Sequence, residues 1–174
     1  MLLLKKVISL DNKKIERSHL RDGSNQKLEA VKLLLTNTPL DTKKAIEFLK
    51  DAAENGHAPV ISLLLAEESI NPNIIAHNSL TLLMLAAKNG HTTVVTLLLA
   101  EERVNPNIVN QYAKTALIIA VDNAQAEIVR LLLFNKRVDP TIGDHNSYTA
   151  LIGAAHSGHA PSVSLLLTEV GVDP

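Results

Sequence analysis

Apolar residues along this chain fall into short blocks whose spacing is helical, separated by polar stretches that cannot be. Between Val94 and Glu101 the apolar positions Val94, Val95, Leu98 and Leu99 follow an i, i+1, i+4, i+5 pattern, which predicts a short helix with one buried face. Just before it, Thr81 to Lys88 reads as a second short helix in which Ala86 and Ala87 permit close packing. The stretch Asn105 to Lys114 breaks the pattern: Pro106 cannot sit inside a helix, and the Asn-rich chemistry around it favours turns. Helix, helix and extended turn therefore make one unit.

That unit recurs at a fixed distance. Asn71-Pro72, Asn105-Pro106, Asp139-Pro140 and Asp173-Pro174 stand 34 residues apart, as do the Leu triplets at 63–65, 97–99, 131–133 and 165–167. Residues 71–104 and 105–138 align without gaps and agree at 14 of 34 positions, so the units are copies of one design. Gly56-His57, Gly90-His91 and Gly158-His159 keep the same spacing, with Ala124-Gln125 in the remaining place. The Asn-Gly pairs at 55–56 and 89–90 have helical periodicity on both sides, so each Gly is expected to end a helix in the left-handed conformation rather than turn a hairpin.

A 34-residue period also suits the tetratricopeptide repeat, but that repeat has no extended turn between helix pairs. The blocks Thr81-Leu-Leu-Met-Leu-Ala-Ala-Lys-Asn-Gly-His91 and Val94-Val-Thr-Leu-Leu-Leu99 resemble the ankyrin repeat, and Thr115 to Ala120 and Thr149 to Ala155 carry the motif again. The match has departures. Leu82, Ala116 and Ala150 replace the family's Pro, and Met84, Ile118 and Ile152 replace its His. The segment Glu101-Glu102-Arg103-Val104 is one residue longer than usual, with the family's Gly retained only at Gly171. The resemblance implies an all-α solenoid of stacked antiparallel helix pairs with projecting β-hairpin-like turns. About four repeats are expected, over 41–72, 73–106, 107–140 and 141–174, with Ala45 to Ala53 marking the first as degenerate.

Residues 1–40 lack the motif, but Leu28, Val31, Leu34 and Leu35 form a helical stripe ending at Thr38-Pro39. With Leu3 to His19 as partner this makes a divergent N-terminal cap whose lysines supply the polar outer face that a stack needs. The last repeat has no such cap, so its apolar face is expected to be covered by more chain or by self-association with another copy.

Composition narrows the chemistry. Aromatics are 2% and Trp is absent, which suits thin Leu-, Ile-, Val- and Ala-built layers. Without any Cys there are no disulfides, thiolate ligands or Cys nucleophiles, and a reducing, cytoplasmic setting fits. Met1 to Leu4 runs straight into Lys5 and Lys6, too short for a membrane span, so no membrane partner is expected. A net charge of -1 gives no drive toward nucleic acid, although residues 1–50 carry eleven basic against six acidic residues and residues 51–174 carry six against twelve.

No nucleophile elbow, phosphate-cradling loop or His-Glu-x-x-His occurs, so no catalytic residue, metal or cofactor is expected and the chain is read as no enzyme. His57, His91 and His159 sit where the family uses His structurally. His156 and His159 lie three apart and could share a helical face, but two nitrogens without a third ligand make no zinc site. Glu67-Glu68 and Glu101-Glu102, at the ends of second helices, read as solvated acids on the outer side.

The resemblance implies that another protein binds the concave face and the turns. Carried over by register, the partner-binding positions are His77, Asn78 and Leu80, then Gln111, Tyr112 and Lys114, then His145, Asn146 and Tyr148. Lys88, Asn89, Asp122, Asn123 and His156 join them from the inner helices. Tyr112 and Tyr148, offset by 36, are expected to share one exposed strip with His77 and His145. An adaptor or recognition scaffold is the leading expectation, with an effector of an intracellular bacterium, acting in host cytosol, as one setting for such Asn- and Ile-rich repeats. The alternatives are a regulatory fragment of a larger enzyme and a self-assembling array.

Overall fold

A computed structural model of the chain describes residues 42–75 and 79–170. The expected N-terminal cap, and His77 and Asn78, lie outside the described residues. Among the described residues eight helices follow one another in pairs: α1 Thr42–Asn55 with α2 Ala58–Leu65, α3 Leu82–Lys88 with α4 Thr92–Ala100, α5 Ala116–Asp122 with α6 Ala126–Phe134, and α7 Ala150–His156 with α8 Ala160–Val170. The first helix of each pair packs on the first of the next (α1, α3, α5, α7), and the second helices form a parallel outer row (α2, α4, α6, α8). Among the described residues the one β contact is an isolated antiparallel bridge between Ile75 and Thr81.

Each inner helix after α1 starts at a threonine. The Oγ1 of Thr81, Thr115 and Thr149 accepts the N–H of Met84, Ile118 and Ile152 at 3.2, 3.3 and 3.4 Å, which satisfies one orphan donor of the first turn. The starts survive the loss of the family's Pro and His. Each inner helix ends through a left-handed residue, Gly56, Gly90 or Gly158, with Ala124 at φ 54° in the remaining place. The following N–H then reaches back to the inner helix, as in His91 N–H to Ala86 O at 3.0 Å and Gln125 N–H to Ala120 O at 2.9 Å. The Asn-Gly pairs are therefore helix stops, and no hairpin turns there.

The core is one continuous aliphatic column. Val94, Val95, Leu98 and Leu99 are all buried, as are Ile128, Val129, Leu132 and Leu133 one unit later. Inner helices contribute Leu82 to Ala87 and Ala116 to Val121. Burial of both helices' facing stripes is what turns short, individually marginal helices into a stable stack.

Neighbouring units are also joined by hydrogen bonds that the sequence does not disclose. The Arg103 guanidinium donates to the carbonyls of Leu65, Glu68 and Ile70 at 2.6, 3.3 and 3.1 Å, closing the C-terminal end of α2. Arg137 does the same for α4 through the carbonyls of Leu99, Glu102 and Val104. A cation with fixed donors suits the end of a helix, where unpaired carbonyls concentrate negative potential. Both arginines lie in the segment that lengthens the repeat to 34. The carbonyls of these same arginines are held by Asn73 Nδ2 and Asn107 Nδ2, each at 2.7 Å, while the two Asn Oδ1 atoms accept the N–H of Asn105 and Asp139 at 2.7 and 2.9 Å.

Glu101 corrects the reading of the acidic pairs as merely solvated. Its carboxylate receives the Arg103 Nε at 2.8 Å, and that hydrogen bond holds it below the usual carboxylate range. The anion at a helix C-terminus is thus neutralised by the arginine that caps the previous unit.

Candidate functional site

The turns at 110–114 and 144–148 are each built by one acidic or amide side chain. Asn110 Oδ1 accepts the N–H of Tyr112 and of Lys114 at 2.9 and 3.0 Å, and the backbone closes with Asn110 N–H to Lys114 O at 3.1 Å. Thirty-four residues later Asp144 Oδ1 accepts from Asn146 and Tyr148 at 2.8 and 3.1 Å, with Asp144 N–H to Tyr148 O at 3.0 Å. Ala113 and Ser147 take φ of 58° and 60° to complete the tips, a left-handed conformation that these turns impose without glycine.

The two turns differ in one respect that can be titrated. The backbone N–H of Asn146, and then that of Tyr148, hold the Asp144 carboxyl below its ordinary range. A depressed folded-state pKa contributes stability that is present above the unfolded value and lost as pH falls through the folded one. We expect the Tyr148 amide to lose protection on acidification below the usual carboxylate range, while the Lys114 amide, held by non-titrating Asn110, does not. Amide exchange or proton shifts against pH would show it, and parallel behaviour of the two amides would refute it.

Between each turn and the inner helix after it lies a pair of residues eight apart. Lys114 Nζ meets Asp122 Oδ2 at 2.7 Å, and in the same two places one unit on, the Tyr148 and His156 rings meet edge to face with centroids 6.0 Å apart. The corresponding pair one unit earlier is Leu80 and Lys88, of which Leu80 is half-buried against the core. These pairs line the angle between hairpins and inner helices. The half-exposed ion pair contributes at most roughly 0.2–1 kcal/mol and positions more than it stabilises.

The positions inferred by register fall out as follows. Gln111, Tyr112, His145, Asn146 and Tyr148 are exposed on successive turns, with His145 Nε2 3.1 Å from the Gln111 carbonyl oxygen, so the second and third turns touch. Lys88, Asn89, Asp122, Asn123 and His156 are exposed at the ends of their inner helices. Asn89 and Asn123 each turn Nδ2 back to the carbonyl four residues earlier, at 3.0 and 2.8 Å. Glu54 and Asn55 occupy the same edge on α1, and Ser157 on α7. The two tyrosines are not equivalent, because their 36-residue offset is two more than the period. Tyr112 stands at a tip, 58% exposed, whereas Tyr148 closes the base of its turn against His156, 39% exposed.

Two further residues belong to this edge, and the repeat register does not point to them. Ile75 and Val109, in register on the rising arms of their turns, are exposed aliphatics. Nothing in the sequence distinguishes them from core positions, since the preceding Ile74 and Ile108 are packed inward. At the start of an outer helix, His91 is structural, in keeping with the resemblance: its Nε2 lies 2.8 Å from Glu54 O of the preceding pair. His156 ends α7 and His159 precedes α8, so the two share no helical face. No group of three or more His, Asp or Glu able to hold a metal occurs among the described residues. Among them, too, no helix is long and apolar enough to cross a membrane.

A stack of antiparallel helix pairs with turns projecting from one edge defines a helical-repeat solenoid, a class that presents a surface rather than encloses a pocket. The family model for ankyrin repeats (3 copies) matches residues 20–108, 49–144 and 83–174, and this chain belongs to that family. No curated protein matches it. Ankyrin repeats are generally protein–protein interaction modules and typically non-catalytic.

Proposed function

We propose that this chain is a recognition module whose protein partner lies along the concave edge, contacted by the hairpins and the ends of the inner helices. One observation carries the reading. Of the six large hydrophobic residues exposed among the described residues, Ile75, Val109, Tyr112 and Tyr148 belong to the hairpin segments, and the two others, Phe134 and Ile152, lie in α6 and α7. Apolar area that folding leaves in water at successive turns of one edge is suited to burial against another molecule. Tyrosine adds a hydrogen-bonding tip to such area and is enriched in interface hot spots. Around these side chains stand groups with unused donors and acceptors, among them His145, Asn146 and Lys88, which form the polar rim that an interface needs. The work is that of an adaptor or scaffold.

The test uses the intact chain as bait for a cytosolic partner, followed by affinity measurements on variants. Tyr112→Ala with Tyr148→Ala should weaken binding at least about tenfold. The thermal midpoint should hardly move, since exposed substitutions usually change stability by about 0.5 kcal/mol or less. A charge swap at Glu67, on the outer side, should leave affinity unchanged. Loss of binding on the Glu67 swap with a silent tyrosine pair would transfer the interface to the outer face.

A further inference from the structure

The four helix pairs are not equally well made. The third residue of each outer helix is a buried aliphatic in α2, α4 and α6, namely Val60, Val94 and Ile128. In α8 that place is taken by Ser162, which is 0% exposed and whose Oγ has no hydrogen-bond partner. Three residues earlier, Nδ1 of His159 is likewise buried without a partner. The inner helix shows the same thinning. Leu85 and Ile119 are buried in α3 and α5, and α7 has Gly153 in that position, where an added Cβ would stand 3.7 Å from Val121 Cγ1.

The seam between this pair and its neighbour is weaker too. Arg103 and Arg137 each tie a unit to the one before, and among the described residues no arginine does the same for α6. Thr141 stands where Asn73 and Asn107 bridge to the next unit. Among the described residues, the side-chain hydrogen bond running back from the last unit is that of His145 to the Gln111 carbonyl. A lost aliphatic and an orphaned hydroxyl in the last helix pair act in the same direction.

We infer that α7, α8 and the turn at 144–148 form a separately opening unit, which detaches from α5 and α6 while the rest of the stack stays folded. In a nearest-neighbour array each seam has its own free energy, and opening occurs at the weakest one. Asn146, Tyr148 and His156 ride on this unit, so opening withdraws one third of the hairpin edge. That last consequence rests on the proposed interface; the opening itself does not.

Native-state hydrogen exchange on the full chain tests it. Amides of α7 and α8 should share one exchange level, on the order of a hundredfold faster than those of α4 to α6. Ser162→Val together with Gly153→Ala restores the apolar contact at both defects, and the new methyl at 153 meets Val121 at ordinary contact distance. This variant should slow both helices together by at least about tenfold, bringing them toward the α5–α6 level. Ser162→Val alone should move both helices in the same direction, while Ser164→Val, at an exposed position of α8, should move neither. Uniform protection from α4 to α8 would overturn the proposal. So would fast exchange confined to α8 with α7 as slow as α5, which is simple fraying, or a repaired variant whose α7 does not respond. Exchange reads folding alone, so a silent tyrosine pair in the binding test would remove the interface without touching this result.

Discussion

Leu98→Ala and Leu132→Ala should each destabilise the chain by roughly 2–5 kcal/mol, the largest single-residue effects expected of this stack. Both side chains are fully buried, one in each of two adjacent outer helices. Each helix packs on its inner partner and on outer neighbours to both sides, so a cavity at either position is shared among three contacts. The loss combines the transfer of about three carbons from an apolar site with an incompletely collapsed void. A stack has no single centre to absorb it, since α4 and α6 are only nine residues long and owe their stability to these faces. Denaturant midpoints measure the effect. If both variants unfold with the parent, the assignment of Leu98 and Leu132 to the buried stripe is incorrect.

The second large effect distinguishes one glycine from another. Gly56, Gly90 and Gly158 share the left-handed conformation, at φ 74°, 74° and 65°, so an alanine at any of them incurs roughly 1–2 kcal/mol of backbone strain. Their surroundings differ. A Cβ at Gly56 would stand 2.7 Å from His91 Nδ1 and 3.0 Å from its Cγ, so the ring must move and its hydrogen bond with Glu54 O is lost. At Gly158 nothing lies within 4 Å. We expect Gly56→Ala to cost roughly 2–3 kcal/mol, strain plus one hydrogen bond, and Gly158→Ala only the strain. The converse change, Ala124→Gly, relieves a left-handed alanine at φ 54° and should stabilise by about 1 kcal/mol. Equal costs at Gly56 and Gly158 would mean that the His91 contact contributes nothing to the seam.

The parts of this fold that are legible in the sequence are those governed by local periodicity. Helix faces at 94–99, breaks at Pro106 and left-handed stops at Gly56 and Gly90 depend on residues a few positions apart, and a 34-residue repeat multiplies each signal. What the sequence hides depends on partners a whole unit away. Arg103 and Arg137 look like surface cations, because nothing local says that their donors reach carbonyls more than thirty residues back. Tyr112 and Tyr148 look equivalent until the turns are drawn, when the two-residue excess over the period puts one at a tip and the other at a base. Leu80 reads by register as a contact residue, yet it is half-buried against the core, since hairpin arms alternate between water and the stack. Ser162 passes for an ordinary helix residue unless it is compared with Val60, Val94 and Ile128.

Between units, the arginine and asparagine bridges address main-chain atoms alone: Arg137 touches four carbonyls, and Asn107 one carbonyl and one amide. Every residue type except proline supplies the amide, and all supply the carbonyl. A joint of this kind is indifferent to the side chains that flank it. Gene duplication could therefore place such a unit beside any other of the same backbone course and find the joint already complete, leaving the hairpin tips free to drift toward a new ligand without loosening the array.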